Sequence, residues 1–328
     1  KMQLSGGLTK DNIGVEYCCL VFAIAESPLE KGCIWAGTND GLVHITRDNG
    51  KNWTQVTENI PGLPPWGTVS NILPSRHHAP SAYLTVDFHQ VNNRDPHVYK
   101  TGNYGRSWKR ITGGIPRSVF SYAHWIEEDP VRPGLLYLGT ENALYVSFND
   151  GDRWLPLQNN LPHAPVHHMV VQSHFNDLVV ATYGRGFWIL DDITPLQQLS
   201  DEILESDAFL FTPRPAYRFH PQAGGPSLRP RAFIHYYLKE PGEEPVTFQI
   251  LDGKGQQVRT LTGSAHRGIN RVIWDVRHPG ATGTQLRTKP PANPHVVEEK
   301  RFHRHWERKG WYPVISWGTW GGFAGFLA

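Results

Sequence analysis

One eight-residue pattern, Ser/Thr-x-Asp/Asn-x-Gly-x-x-Trp, limits what this chain can fold into more than any other feature. It occurs as Thr46-Arg-Asp-Asn-Gly-Lys-Asn-Trp53, Thr101-Gly-Asn-Tyr-Gly-Arg-Ser-Trp108 and Ser147-Phe-Asn-Asp-Gly-Asp-Arg-Trp154, at spacings of 55 and 46 residues. Each copy follows an alternating apolar run, at 35–44, 97–100 and 137–146. A fourth run, Val179 to Asp192, repeats the first half of the unit and lacks the Gly-x-x-Trp half. Short alternating strands, about four in every ~45 residues, are the sequence mark of propeller blades. The motif has a mechanical reading. Gly50, Gly105 and Gly151 supply positive φ at a hairpin turn. Asp48, Asn103 and Asn149 accept backbone N–H groups of that turn. The hydroxyls of Thr46, Thr101 and Ser147 add a second local bond, and Trp53, Trp108 and Trp154 pack between neighbouring sheets. These residues hold turns and imply no chemistry.

Composition agrees. Of 328 residues, 32 are Gly and 26 are Pro, which favours many short turns over long helices. The 12 Trp, 12 Tyr and 14 Phe exclude a solvated, disordered chain. Only one short helix is expected, around Leu196–Glu205. Residues 1–204 carry a net charge of −5 and residues 205–328 one of +7, so a boundary is placed near residue 200. Neither block is basic enough to imply nucleic acid.

Past that boundary the motif disappears. Ala232–Leu238, Val246–Leu251, Gln257–Leu261 and Asn270–Asp275 alternate with period two, and Asp252-Gly-Lys-Gly255 reads as the turn joining the second and third. A Pro/Gly-rich loop over 278–295 and a basic aromatic stretch from Arg301 follow. The final 18 residues, 311–328, are uncharged. They reach the lower limit of a membrane span, but their glycines and proline make a poor helix, so they are read as loop.

The eight-residue element is the Asp box, and residues 5–200 resemble the BNR-repeat and sortilin-like β-propeller proteins. Further likeness lies in Ser5-Gly-Gly-Leu-Thr-Lys-Asp-Asn12, Glu26-Ser-Pro-Leu-Glu30, Glu128-Asp-Pro130 with Gly134-Leu-Leu-Tyr137, and Gly184-Arg-Gly-Phe-Trp-Ile-Leu-Asp-Asp-Ile-Thr-Pro-Leu196. The C-terminal part resembles the small immunoglobulin-like domain of flagellar hook-cap proteins. The expected fold is therefore all-β: about four blades of a partial Asp-box propeller over 1–200, then an immunoglobulin-like sandwich over 201–328. A propeller closes with about four to eight blades. A fragment is expected, completed by further blades of the same polypeptide or by a partner chain. The resemblance implies a secreted, periplasmic or envelope-associated bacterial protein that binds protein, peptide or glycan, with glycoside hydrolysis as the rival reading.

Candidate chemistry is sparse. Sialidases grip a carboxylate with three arginines. Arg94, Arg106 and Arg185 are present, but the Phe/Tyr-Arg-Ile-Pro motif is not. A hydrolase needs two carboxylates about 5–9.5 Å apart. Asp87, Asp95, Glu127, Glu128, Asp129, Asp191 and Asp192 are the acidic candidates, with Asp87, Glu128 and Asp129 foremost. Glu128-Asp129-Pro130 also suits a strand-ending turn. Among 17 histidines, the groupings His77-His78, His167-His168, His303-x-His305 and Asp87-x-His89 lack recognised metal spacing. Adjacent strand residues face opposite sides, so His167 and His168 do not share an ion, and no metal site is expected. No cofactor is expected either. Gly184-Arg-Gly lacks the helix and Lys-Ser/Thr of a phosphate loop, and no Gly-x-Ser-x-Gly elbow is present. Cys18, Cys19 and Cys33 form no disulfide framework. A hairpin placing Cys33 opposite Ala25 leaves Cys18 about seven residues away, too far to bridge at ~3.3 Å per residue.

Overall fold

A computed structural model describes residues 20–217 and 231–278 of the chain. Antiparallel strands dominate. The first three sheets have four strands each, paired in chain order. They are β1 (Val21–Glu26), β2 (Ile34–Thr38), β3 (Val43–Thr46) and β4 (Thr54–Gln55); β5 (Thr68–Pro74), β6 (Ala82–Asp87), β7 (His97–Thr101) and β8 (Lys109–Arg110); and β9 (Ala123–Glu128), β10 (Leu136–Thr140), β11 (Leu144–Ser147) and β12 (Leu155–Pro156). A fourth sheet has three strands, β13 (Val166–Gln172), β14 (Asp177–Thr182) and β15 (Gly186–Leu190). The inner strands β1, β5, β9 and β13 pack against one another in sequence. This is a partial β-propeller, with four consecutive blades and the last one lacking its outer strand.

The turn motif works as its residue types predict. Asn49, Tyr104 and Asp150 have φ of 61°, 57° and 61°, and the glycines after them have φ of 85°, 76° and 85°. Two successive left-handed residues make the tight hairpin turn that suits strand twist. The Thr46, Thr101 and Ser147 hydroxyls accept the N–H of Gly50, Gly105 and Gly151 at 3.0, 3.0 and 2.9 Å. The same hydroxyls donate to Asp48 Oδ1, Asn103 Oδ1 and Asn149 Oδ1 at 2.8, 3.0 and 2.9 Å. Those oxygens in turn accept the amides of Asn52, Ser107 and Arg153, each at 2.9 Å.

The second and third turns are each seated on the blade before them. Gly105 lies against Val56, and Gly151 lies so close to Ile111 that a Cβ there would meet the Ile111 side chain at 2.5 Å. Trp108 meets Trp35 of the first blade edge-on at 5.8 Å, and the Trp154 indole N–H donates to the Ile111 carbonyl at 2.8 Å. The apolar core is accordingly divided by blade junction. Trp35, Val69, Leu84 and Trp108 belong to the first junction, and Tyr83, Ile111, Ile126 and Trp154 to the second. Trp53 differs. It is 44% exposed, against 7% for Trp108 and 1% for Trp154, because no described sheet precedes β1.

A third core cluster joins blades three and four to the C-terminal part through Leu196, Ile203, Phe211, Tyr237 and Ile269. The single expected helix is two one-turn helices, α1 (Thr194–Gln198) and α2 (Asp201–Glu205). They break at Ser200, whose hydroxyl caps α2 by accepting the Ile203 N–H at 3.4 Å. A three-stranded sheet follows, β16 (Ala208–Leu210), β17 (Ala232–Leu238) and β20 (Gly268–Trp274), with a hairpin of β18 (Val246–Leu251) and β19 (Gln257–Gly263). The two sheets meet through Tyr236 and Phe248, with ring centroids 4.8 Å apart. The last blade is thus not left bare: helices and C-terminal strands cover part of it.

The first hairpin also corrects a register. Ala25 pairs with Trp35, and Cys33 lies beyond the strand end, where its carbonyl accepts the Ser27 N–H at 2.8 Å. Cys33 is a buried free thiol whose pKa burial pushes up to about 11. Cys18, Cys19, His303, His305 and the uncharged tail lie outside the described residues. Among the described residues, no helix is long and apolar enough to cross a membrane.

The contrast among the motif tryptophans is testable by urea unfolding. Trp154→Ala empties a fully enclosed site and is expected to cost about 3–5 kcal/mol. Trp53→Ala, on an open face, is expected to cost less than about 1 kcal/mol. Equal losses would contradict the junction role assigned to these side chains.

Candidate functional site

The meander of each blade puts its loops at two ends. The turn motif and the connection between the first two strands share one end. The connections between second and third strands, and those from blade to blade, share the other, called here the loop end. At the motif end the backbone ties are repeated: Asn49 N–H to Gly32 O at 3.0 Å, Tyr104 N–H to Pro80 O at 2.9 Å, and Asp150 N–H to Gly134 O at 2.8 Å. At the loop end, Asn39, Glu141 and Tyr183 donate their N–H groups to Leu20, Tyr122 and Pro165 carbonyls at 3.0, 3.1 and 2.9 Å.

Near the loop end each inner strand carries a β-bulge. The ladder skips one residue between Val21 and Ala23, Val69 and Asn71, Ala123 and Trp125, and Val166 and His168. The extra residues are Phe22, Ser70, His124 and His167. A bulge re-aims a side chain out of the normal alternation, and here it does so at one level in four successive blades. A second row stands at the end of each second strand: Asn39, Asp87, Glu141 and Tyr183.

Asp87, His124, Glu141 and His167 of these rows gather with the neighbouring His89 and Tyr122. His124 Nε2 lies 2.9 Å from Glu141 Oε2. The His124 and His167 rings stack at 4.2 Å with an interplanar angle of 19°. On the other side, Asp87 Oδ2 holds His89 Nδ1 at 2.6 Å. The His89 ring stacks on Tyr122 at 5.2 Å, and Tyr122 meets His124 edge-on at 5.2 Å. Burial and a hydrogen bond to Glu141 push the Tyr122 hydroxyl up to about 12, so it serves as a donor. Though exposed at one side, the His167 ring is held below the ordinary imidazole value, first by its partial desolvation and then by the neighbouring His124, with Glu141 acting against both. A neutral imidazole and a carboxylate side by side can bind a cation or exchange a proton with a ligand.

Of the residues singled out by sequence, Asp87 belongs to this group. Glu128 and Asp129 stand at the motif end, enclosed and engaged in turns. Glu128 accepts from the Ser75 hydroxyl at 3.0 Å, the Arg76 N–H at 2.6 Å and the Tyr83 hydroxyl at 3.2 Å. Asp129 Oδ1 accepts the N–H groups of Val131 and Arg132, each at 2.8 Å. Glu127 is buried beside Arg76 at 3.2 Å, and burial pushes it up to about 7. Asp192 is also buried, 3.6 Å from Arg214 and 3.7 Å from His235. Arg94 sits over the Tyr122 ring at 5.4 Å, whereas Arg106 belongs to a turn motif at the opposite end. The three arginines therefore do not converge on one carboxylate.

His124, Glu141 and His167 are the residues that chain spacing misses. They come from three strand ends in two blades, and adjacency rules for metal ligands see only neighbours. The signal available in sequence was positional: Glu141 follows Leu-Gly-Thr140 as Asn39 follows Ala-Gly-Thr38. Gly139 has a packing reason for being glycine. A Cβ there would meet the Val166 carbonyl at 2.6 Å, so its absence lets β13 come close and brings His167 to His124.

No protein-family model matches the sequence, and no curated protein does. Several solved structures show a distant similarity to the chain. A GH74 xyloglucanase from Xanthomonas campestris gives a TM-score of 0.40 at 14% identity, over 52% of this chain and 29% of that one. YCF48 from Cyanidioschyzon merolae gives 0.35 at 16%, over 53% and 57%. An ancestral GH74 enzyme gives 0.42 at 15%, over 75% and 33%. The match spans about a third or less of each GH74 chain and somewhat over half of the YCF48 chain.

The imidazole pair predicts a measurable titration. The His167 ring is expected to titrate below the ordinary histidine value of ~6.5, and Glu141→Gln is expected to lower it further by removing the neighbouring negative charge. Histidine-selective NMR across pH 4–8 reads both. A His167 titration at or above the ordinary value would contradict the stacked arrangement.

Proposed function

We propose that this chain is the binding part of an Asp-box β-propeller of the BNR or sortilin-like kind, with an immunoglobulin-like sandwich after it, and that its loop end receives a protein or peptide. The observation that carries this reading is the distribution of exposed apolar side chains. Trp66, Val91, Val119, Phe120, Tyr183 and Phe187 are all exposed and all stand on or beside loops of the loop end. A concentration of exposed apolar groups rimmed by polar ones is characteristic of interaction surfaces. Trp66 adds strain: its φ of 69° is unusual for a bulky residue and holds the indole outward. Asp87, Glu141, His89 and His124 supply the polar groups that would fix a ligand's orientation within this apolar rim.

A second surface accompanies it. The open face of the first blade exposes Val21, Phe22, Ile24 and Trp53. In blades two and three the residue equivalent to Trp53 is covered by the preceding sheet. A further blade, from the same polypeptide or from a partner subunit, is the cover this face fits.

Glycoside hydrolysis is kept as the second reading because Asp87 and Glu141 share the loop end, the side where a propeller hydrolase would need convergent carboxylates. Their present partners are histidines, as the 2.6 and 2.9 Å contacts show.

Selection from a random-peptide library on the immobilised chain separates the two. Enrichment of aromatic or aliphatic peptides is expected, and Phe120→Ser and Trp66→Ser are each expected to weaken the selected peptide at least about tenfold, about 1.4 kcal/mol. Asp152→Asn at the motif end is expected to leave binding unchanged. Absence of any selected peptide, with turnover of xyloglucan or sialosides that disappears in Asp87→Asn, would establish the hydrolase instead.

A further inference from the structure

From the meeting of His124, His167 and Glu141 we infer a divalent transition-metal site of the zinc class, built across the junction of blades three and four. One ligand atom from each residue lies within 4.8 Å of the other two. Two imidazoles and a carboxylate form a donor set that zinc uses when a fourth position stays open to water or a ligand. Nitrogen-rich sets of this kind favour late first-row ions over magnesium or calcium.

Three features make the group more than a chance gathering. First, both histidines occupy bulge positions, so the backbone of two adjacent inner strands is irregular at the points that present them. Secondly, the carboxylate is already held against one imidazole: Glu141 Oε2 is 2.9 Å from His124 Nε2. Thirdly, the two ends of the group differ in exposure. His124 is buried, Glu141 half-buried and His167 exposed. The stacked rings now present faces to each other. An ion held by all three requires the exposed His167 ring to leave the stack while the enclosed pair stays in place.

The ion would stand at the loop end beside Tyr183, whose ring lies 5.7 Å from that of His167. An open coordination position there faces the same apolar rim assigned to ligand binding. A carboxylate or carbonyl oxygen of a bound chain is the group an exposed zinc-class ion accepts. This inference stands on the ligand geometry alone and holds whichever occupant the loop end takes.

The test is isothermal titration of zinc chloride into the full chain after chelation and desalting, with cobalt(II) absorption as a geometric readout. One site is expected, with a visible cobalt spectrum of a four-coordinate nitrogen/oxygen set. His167→Ala and Glu141→Gln are each expected to weaken zinc at least about tenfold and to remove the cobalt band. Because His167 is exposed, its replacement is expected to leave the thermal melt unchanged, and His167→Gln provides a second variant of similar volume. A chain carrying His303→Ala and His305→Ala is expected to bind zinc as the parent does. The inference is overturned if the parent takes up no zinc at micromolar concentration. It is equally overturned if binding survives His167→Ala and Glu141→Gln, or is lost with His303 and His305.

Discussion

The structure depends on a hydroxyl that reaches four residues along its own chain. Thr46, Thr101 and Ser147 each accept the amide of a left-handed glycine and donate to the Asp or Asn between. A buried N–H without a partner costs about 1–3 kcal/mol, and the clamp removes that cost at Gly105 and Gly151 while forcing the chain through two consecutive positive-φ residues. The turn then sets where the tryptophan lands. Trp108 and Trp154 reach the preceding blade, and three separate apolar clusters mark three junctions. Blade-to-blade packing follows from a local hydrogen bond.

The two ends of the blades divide the work. At the motif end, carboxylates hold loops: Glu128 accepts the Arg76 N–H and the Ser75 hydroxyl, and Asp129 the N–H groups of Val131 and Arg132. At the loop end they face imidazoles, as with Asp87 and His89, and Glu141 and His124. The same residue type therefore has different meanings according to which connection it occupies. A bulge near the start of every inner strand adds the second ingredient, because it places one irregular side chain per blade at one level. Phe22, Ser70, His124 and His167 fill that level with different chemistry on one backbone.

Much of the fold was legible because its determinants are close in sequence. The turn motif is complete within eight residues, and the Asp252–Gly255 turn joins β18 to β19 as its residue types require; Gly255 has φ of 78°. What depended on longer range was read less well. The helix at 194–205 is interrupted because the Ser200 hydroxyl offers the backbone a cap in mid-run. Cys33 lies further toward the turn than opposite Ala25, since pairing register is set by both strands. The His124, Glu141 and His167 group was illegible for a related reason. It depends on two bulges and on a glycine, Gly139, that lets adjacent blades approach; none of these leaves a fixed spacing in the chain. Of the three foremost acidic candidates, Asp87, Glu128 and Asp129, only Asp87 stands at the loop end.

A clamp that seats its turn on a preceding blade shields its own glycine amide wherever such a blade is present. Native-state hydrogen exchange, read by NMR at the amides of Gly50, Gly105 and Gly151 in the full chain, tests it directly. All three donate to a motif hydroxyl, but only Gly105 and Gly151 are buried against a preceding sheet. Gly105 and Gly151 are expected to exchange only through large-scale unfolding, and Gly50 much faster. Exchange of Gly105 and Gly151 at the rate of free loop amides would contradict it.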